Sequence, residues 1–351
     1  MTTTPRIALV ILNWNGRNLF SEFLPSVLRH TETDGVTIYV ADNGSTDGSV
    51  EFLSEHFPTV KIIQNGGNYG FSKGYNLALE KIPDADIFVL VNSDVEVTEN
   101  WLGPCIALLS GNPKLAAVQP KILSYRDKEQ FEYAGAAGGY IDYLGYPFCR
   151  GRILNETETD AGHYDQPASI LWATGACLVI RADVFREAGG FDDDFFAHME
   201  EIDLCWRLRN QGWEIGYVPE SRVYHLGGAT LSYQSPRKVF LNFRNNLWML
   251  IKNLPPNRLF PILFIRMVLD GVAAIRFIIS GEYQAFMAVF KAHVELYRNM
   301  GKFLRKRKTL LTKVTRSRHP EIYRGSMVYN FYLKKRKKFS EFNFHPPMMN
   351  H

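Results

Sequence analysis

Along its first hundred residues the chain alternates short, continuous apolar runs with stretches in which apolar side chains return every three or four positions. Ile7–Leu12, Thr37–Ala41, Val60–Gln64 and Asp86–Val91 have strand length and composition. Between them, residues 19–30, 48–56 and 73–81 have helical spacing, with Asp47 or Ser49 and Ser72 in capping positions. This βαβα order predicts a mainly parallel sheet flanked by helices, with ligands at the carboxyl ends of its strands. The polar clusters fall at those ends: 13–16, 42–49, 65–70 and 92–94.

The pattern weakens between Pro120 and Pro167, which reads as a Gly- and Tyr-rich meander followed by a loop. It returns with an apolar run at 169–181, a helical stretch at 201–211, a strand at 214–218 stopped by Pro219, and a helix over 236–253 ending at Pro255-Pro256. An apolar and basic helical region follows. The expected organisation is therefore a catalytic domain over 1–254 and a helical extension over 255–351 that packs on it or associates with a membrane.

Composition changes this picture in one respect. With 46% apolar and 22% charged side chains over 351 residues, the chain suits a folded globular protein and excludes disorder, collagen or a disulfide miniprotein. The net charge of +4 conceals an asymmetry: residues 291–351 hold 16 basic and 3 acidic side chains, a net +13, so the first 290 carry −9. A basic tail on an acidic body points to a polyanion, either nucleic acid or an anionic membrane. No aromatic–basic nucleic-acid signature accompanies it. Four scattered cysteines without metal-ligand spacing, and a start without a secretory apolar region, predict a reducing cytoplasmic setting. The longest apolar stretch, Leu259–Phe290, is interrupted by Arg266, Asp270, Arg276, Glu282 and Gln284, so it is expected to lie on a membrane or pack in protein.

Three clusters could carry chemistry. Asp42, followed by Asn43-Gly44-Ser45, places a carboxylate beside glycines that let backbone approach a ligand; an ordinary capped turn is the competing reading. Asn92-Ser93-Asp94 ends a strand on a carboxylate suited to Mg or Mn, although a strand-end Asp also serves turns. Glu200-Glu201-Ile202-Asp203 opens a helix with three acids, more than capping requires, and neighbouring carboxylates raise one another's pKa toward the range of a general base. The order G-x-G-x-x-G is absent after the first strand, which disfavours a dinucleotide-binding dehydrogenase. His225 alone reads as a loop histidine.

In combination, ILNWNG, ADNGSTDGS, NGGNYGFSKGYN, VNSDVEV, WATGACLVIR, GGFDDDFFAHMEEIDLCWRLRNQGW and VPESRVYHLGG resemble the inverting nucleotide-sugar glycosyltransferases of family 2, over Pro5 to Gly228. The likeness is greatest to bacterial members that add rhamnose and other sugars to surface polysaccharides. The resemblance implies an α/β GT-A fold, Rossmann-like with a mixed, mainly parallel sheet. It also implies a donor such as dTDP-rhamnose or a UDP-sugar, a lipid-linked or polysaccharide acceptor, and a peripheral position on the inner face of the cell membrane. Asp42 would read the base or ribose, helped by Leu12, Asn13 and Asn43. Asn68, Gly70, Phe71, Gly74 and Asn76 would shape the donor wall. Asn92-Ser93-Asp94 would stand for the family's D-x-D, leaving Asp94 and His225 as metal ligands. The base would be Glu201, where the family has the Asp of a Glu-Asp pair, with Glu200 and Asp203 as supporting acids or as the alternative base. The departures at Asn92 and Glu201 keep open a catalytically inactive nucleotide-sugar binder; a nucleic-acid-binding protein using the basic tail is the remaining alternative.

Overall fold

The structure is a computed structural model that describes residues 4–31, 34–227 and 235–349. Gly228, the last residue of the final motif, lies outside the described residues. The first half alternates as the apolar pattern predicts: β1 (Ile7–Asn13), α1 (Arg17–His30), β2 (Val36–Asp42), α2 (Ser49–His56), β3 (Lys61–Gln64), α3 (Gly70–Glu80) and β4 (Ile87–Asn92). A short β5 (Val95–Val97), α4 (Leu102–Gly111) and the long β6 (Leu115–Ser124) follow. β1 pairs in parallel with β2 on one side and β4 on the other, and β2 pairs in parallel with β3.

Both faces of this sheet are covered, which is why its strands read as unbroken apolar runs. Along β1, Ile7, Leu9 and Ile11 enter a core shared with Phe20 and Leu24 of α1 and Leu109 of α4. Ala8 and Val10 enter the opposite core with Tyr75 and Ala78 of α3. One capping expectation changes. α3 starts at Gly70, three residues earlier than the spacing suggests, so Ser72 is inside the helix and buried.

The stretch read as a meander followed by a loop forms most of a second, five-stranded sheet. It contains β7 (Gly139–Asp142), β8 (Pro147–Cys149), β9 (Arg152–Ile153) and β10 (Glu156–Thr157), in the order β10-β9-β8-β7 and closed by a strand from the C-terminal region. The chain then returns to the main sheet through β11 (Ala168–Ser169) and β12 (Cys177–Arg181), passes α5 (Ala182–Glu187) and α6 (Glu200–Asn210), and enters β13 (Glu214–His225). Pro219 does not stop that last strand. β13 continues past it through a register shift between Val218 and Arg222, an irregularity that accommodates a residue with no N–H to give the ladder. Its far end pairs antiparallel with β5, setting His225 opposite Val95.

Helices α7 (Pro236–Asn253), α8 (Pro256–Ile279) and α9 (Tyr283–Leu311) form the C-terminal layer, followed by β14 (Ile322–Tyr323) and α10 (Met327–Tyr332). The basic extension is not a detached tail. β14 pairs in parallel with β7, Glu321 forms a buried ion pair with Arg209, and Phe339, Phe342 and Phe344 close on Phe148. Part of its charge is spent internally: Lys302 and Lys306 reach Asp194 at 2.6 and 2.7 Å, and Lys306 also pairs with Asp192.

Candidate active site

A cavity of about 490 Å³ opens at the carboxyl ends of β1 and β4, where strands, the start of α6 and the C-terminal helices meet. Leu12, Asn13, Asn43, Asn68, Gly70 and Phe71 line one side. Asn92, Ser93, Asp94, His225, Glu200 and Glu201 line it as well, so residues more than a hundred positions apart share one space.

Four expected residues do not face it. Asp42 is buried and turned into its own loop: Oδ1 accepts from Asn13 Nδ2 at 2.9 Å, and Oδ2 accepts from the Gly44 and Ser45 amides at 3.0 Å each. It shapes the turn that carries Asn43 to the cavity and holds the side chain of Asn13 at the end of β1. Gly74 is a close-packing position, because a Cβ there would lie 2.6 Å from the Asn43 amide. Asn76 ties α3 to the loop before α6, donating to the Phe191 carbonyl at 2.8 Å and to Asp193 at 2.7 Å. Asp203 is fully buried among Arg207, Lys252 and Asn253, at 2.9, 2.6 and 2.9 Å. Those cations and the amide consume its oxygens, so it anchors α6 to α7 and supplies no acid to the cavity.

The acids that do face the cavity are held in an unusual backbone. Phe196, His198 and Met199 all have positive φ, 64°, 69° and 72°, a region that costs side-chain-bearing residues energy unless the surroundings enforce it. Two contacts enforce it. The Phe196 carbonyl accepts from the Phe71 amide at 2.6 Å, against Gly70, where a Cβ would lie 2.6 Å from that same carbonyl. From α7, buried Asn245 donates to the carbonyls of Phe195, Ala197 and His198 at 2.9, 2.8 and 2.7 Å. Replacing Asn245 with Ala removes this clamp and strands buried carbonyls. The expected result is a loss of about 2 kcal/mol in denaturant unfolding together with a fall in turnover, since the loop leads directly into Glu200.

Oε2 of Glu200 and Oε2 of Glu201 are both buried without a hydrogen-bond partner among the described residues. Burial pushes the Glu201 carboxyl up to about 7. Glu200 is raised well above the ordinary range, first by burial and then by the charge of Glu201. The pair is thus differentiated: Glu200 is driven toward its neutral form by burial and by its neighbour's charge, while Glu201 exchanges its proton near neutral pH, as a general base requires.

Opposite them, His225 Nε2 lies 3.2 Å from Asp94 Oδ1, and Asn92 Nδ2 lies 3.3 Å from the same nitrogen. Pairing of β5 with β13 creates this meeting, reinforced by the Leu226 amide donating to the Asp94 carbonyl at 3.0 Å. Behind the imidazole, Nδ1 lies 3.2 Å from Glu132 Oε2, the carboxylate backing that orients metal-ligating histidines. Burial opposes ionisation of both partners, yet Asp94 is held below the usual carboxylate range by His225, and His225 is raised by Asp94 and Glu132. With the imidazole neutral, as ligation requires, these donors fit a divalent cation. Such ions take one or two protein ligands and complete their shell from phosphate and water, and among the described residues no cluster of three or more His, Cys, Asp or Glu side chains forms a closed cage.

Glu132 was not visible in the sequence, which gives no local sign that it backs His225. The motif FFAHMEE did contain His198, whose buried Nε2 also lacks a partner among the described residues and whose pKa burial lowers to about 4.

With this geometry in hand, comparison with known proteins is informative. The model of the family described as glycosyl transferase family 2 matches residues 8–187. The N-acetylglucosaminyl-diphospho-decaprenol L-rhamnosyltransferase of Mycobacterium tuberculosis is 28% identical over 239 residues, covering 63% of this chain and 76% of that protein. The low-salt glycan biosynthesis hexosyltransferase Agl10 of Haloferax volcanii is 23% identical, covering 68% and 73%. Among solved structures, GalNAc-T7 with UDP, GalNAc and Mn2+ superposes with a TM-score of 0.57 at 18% identity, covering 72% of this chain and 48% of that one. The mannosyltransferase PcManGT of Pyrobaculum calidifontis, in complex with GDP-Man and Mn2+, gives 0.51 at 15% identity, covering 89% and 86%. These structural likenesses establish the GT-A fold.

Proposed function

The chain belongs to glycosyl transferase family 2, and from that premise we propose an inverting transferase that moves a sugar from a nucleoside-diphosphate donor to a hydroxyl of a lipid-linked acceptor. One observation carries the reading: Glu201 with an unpartnered oxygen and the Asp94–His225 pair line the same cavity. Leu12, Asn13, Asn43 and Asn68, at the strand ends, would seat the nucleotide, and Phe71 would cover it. Asp94 and His225 would hold Mg or Mn, which when bound neutralises charge on the leaving diphosphate. Glu201 would accept the proton of the acceptor hydroxyl as its oxygen attacks the anomeric carbon from the opposite face; no covalent sugar–enzyme bond is needed. A dTDP-rhamnose or UDP-sugar donor agrees with the Mycobacterium relative being an L-rhamnosyltransferase and with the UDP complex of GalNAc-T7. The test is a thermal-shift screen of dTDP-, UDP- and GDP-sugars with Mn, followed by product masses on lipid extracts. Stabilisation by a nucleotide-sugar with a new glycolipid mass supports the reading; binding with no transfer and no nucleoside diphosphate released reduces the protein to a binder.

Placement on an anionic membrane is supported by α8. Phe260, Phe264, Val268, Val272, Ile275 and Ile279 recur at helical spacing and are exposed, from 53% at Val268 to 81% at Ile279. The helix's one acidic residue, Asp270, is buried on the other face, and no described helix is long and apolar enough to cross a membrane. Such a helix lies in the interfacial plane, with Arg276 and Lys291 available to acidic headgroups. Co-sedimentation with phosphatidylglycerol vesicles is expected to fall at least tenfold in a Val268→Glu, Ile275→Glu double variant. Unchanged sedimentation would remove α8 from the membrane contact.

A further inference from the structure

The cavity extends past the donor-side residues to a wall that is basic. Arg152 of β9, Arg237 and Lys238 of the first turn of α7, and Arg266 of α8 line it. None has a part in the donor assignments above. Arg152 is 5% exposed; its Nη1 donates to the Leu154 carbonyl at 3.0 Å and its Nη2 to the Cys149 sulfur at 3.3 Å, leaving Nε buried with no acceptor. Among the described residues its guanidinium forms no ion pair; Glu132, which attracts it at longer range, faces His225. The Tyr133 ring at 4.5 Å and the more distant Glu132 carboxylate favour the cation, yet no carboxylate pairs with it directly among the described residues, which leaves the guanidinium open to an anion arriving from solution. Arg266, 2% exposed, pairs with Asp270 at 3.8 Å but likewise keeps a buried Nε without an acceptor among the described residues.

This wall adjoins the base. Arg237 stacks over the Phe196 ring at 4.6 Å, and Arg266 donates to Asn246, whose amide in turn contacts the sulfur of Met199 at 3.9 Å. Phe196 and Met199 bound the strained loop that runs into Glu200 and Glu201. α8 also presents two chemistries at one level, with Arg266 turned into the cavity and Phe264 and Val268 exposed on the other face. An anion at Arg266 therefore sits beside a helix whose outer face suits a hydrocarbon surface.

We propose that Arg152, Arg237, Lys238 and Arg266 form a binding site for the phosphate of the acceptor, a phosphate- or diphosphate-linked lipid glycoside, and so present its sugar hydroxyl to Glu201. The inference rests on reading the cavity as a transferase site, and names the acceptor class for it. The donor's diphosphate is a poor candidate for this wall because its counter-charge is assigned to the Asp94–His225 end, at the tips of β4 and β13.

The test uses the full chain with farnesyl diphosphate and farnesol as probes, in EDTA so that no divalent ion recruits diphosphate to Asp94 and His225. Farnesyl diphosphate is expected to bind at least tenfold more tightly than farnesol. Arg237→Gln, an exposed position that does not threaten folding, and Arg152→Gln, checked by its thermal midpoint, should each lose at least fivefold, with UDP–Mn binding unchanged. Full affinity in the Arg237 variant, or displacement of farnesyl diphosphate by UDP in EDTA, would overturn the assignment. If instead no nucleoside diphosphate binds with Mn while farnesyl diphosphate stays sensitive to Arg237→Gln, the phosphate site stands and the transferase reading fails.

Discussion

Glu201→Gln is expected to lower the rate of sugar transfer by 10³-fold or more while leaving the affinity for the nucleotide donor within about twofold of the parent protein. The amide keeps the size and the buried position of the side chain, so the loss isolates proton acceptance. Glu200→Gln provides the contrast. Burial and the charge of Glu201 push Glu200 toward its neutral acid, which a neutral amide resembles, so its turnover should fall by no more than about tenfold. The pH profile carries the same assignment. Because the Glu201 carboxyl is raised to about 7 by burial and the reacting form is the anion, kcat/KM should be level above that pH and fall about tenfold per unit below it. Glu200→Gln removes the neighbour whose ionisation would oppose that of Glu201, and leaves the direction of the profile unchanged. Near-parental transfer by Glu201→Gln, or a profile flat from pH 5 to 8, would move the base to another group.

Much of this site was legible because the parallel sheet is buried on both faces. Its strands appear as continuous apolar runs, and the polar residues that interrupt them are those at the strand ends, among them Asn13, Asn43, Asn92 and Asp94, which line the cavity. What was not legible depends on contacts between distant segments. Pro219 reads as a strand stop until β6 and β5 hold β13 on either side of its irregularity, and without that continuation His225 would not meet Asp94. Strands of two to four residues, such as β8, β9 and β10, are too short to show a period, so the second sheet read only as a meander followed by a loop. Asn76 and Asp203 carry the residue types of a ligand site and serve as clamps instead, a distinction made only by Phe191, Asp193, Lys252 and Asn253 arriving from elsewhere. The charge asymmetry was read from composition correctly, but part of the basic segment is folded against Asp192 and Asp194.

Removing the divalent ion should be as damaging as removing the base, through binding and not through proton transfer. EDTA is expected to abolish transfer, and Asp94→Ala to weaken Mn-dependent binding of the donor by about a hundredfold, measured by titration with the nucleoside diphosphate. The reasoning is electrostatic. With Asn92 in place of a second acid, Asp94 is the one anionic side chain of the Asn92-Ser93-Asp94 triplet, so its loss leaves His225 as the sole donor of the proposed pair. His225→Ala should weaken the same binding less, because the charged ligand is retained. Glu132→Gln separates orientation from ligation: it keeps the side chain beside His225 Nδ1 but not its charge, so a loss on the order of tenfold in Mn affinity identifies Glu132 as the group that orients the imidazole. Donor binding that is equally tight in EDTA, or undiminished in Asp94→Ala, would show that the Asp94–His225 pair is a structural ion pair and that positive charge reaches the diphosphate from other groups.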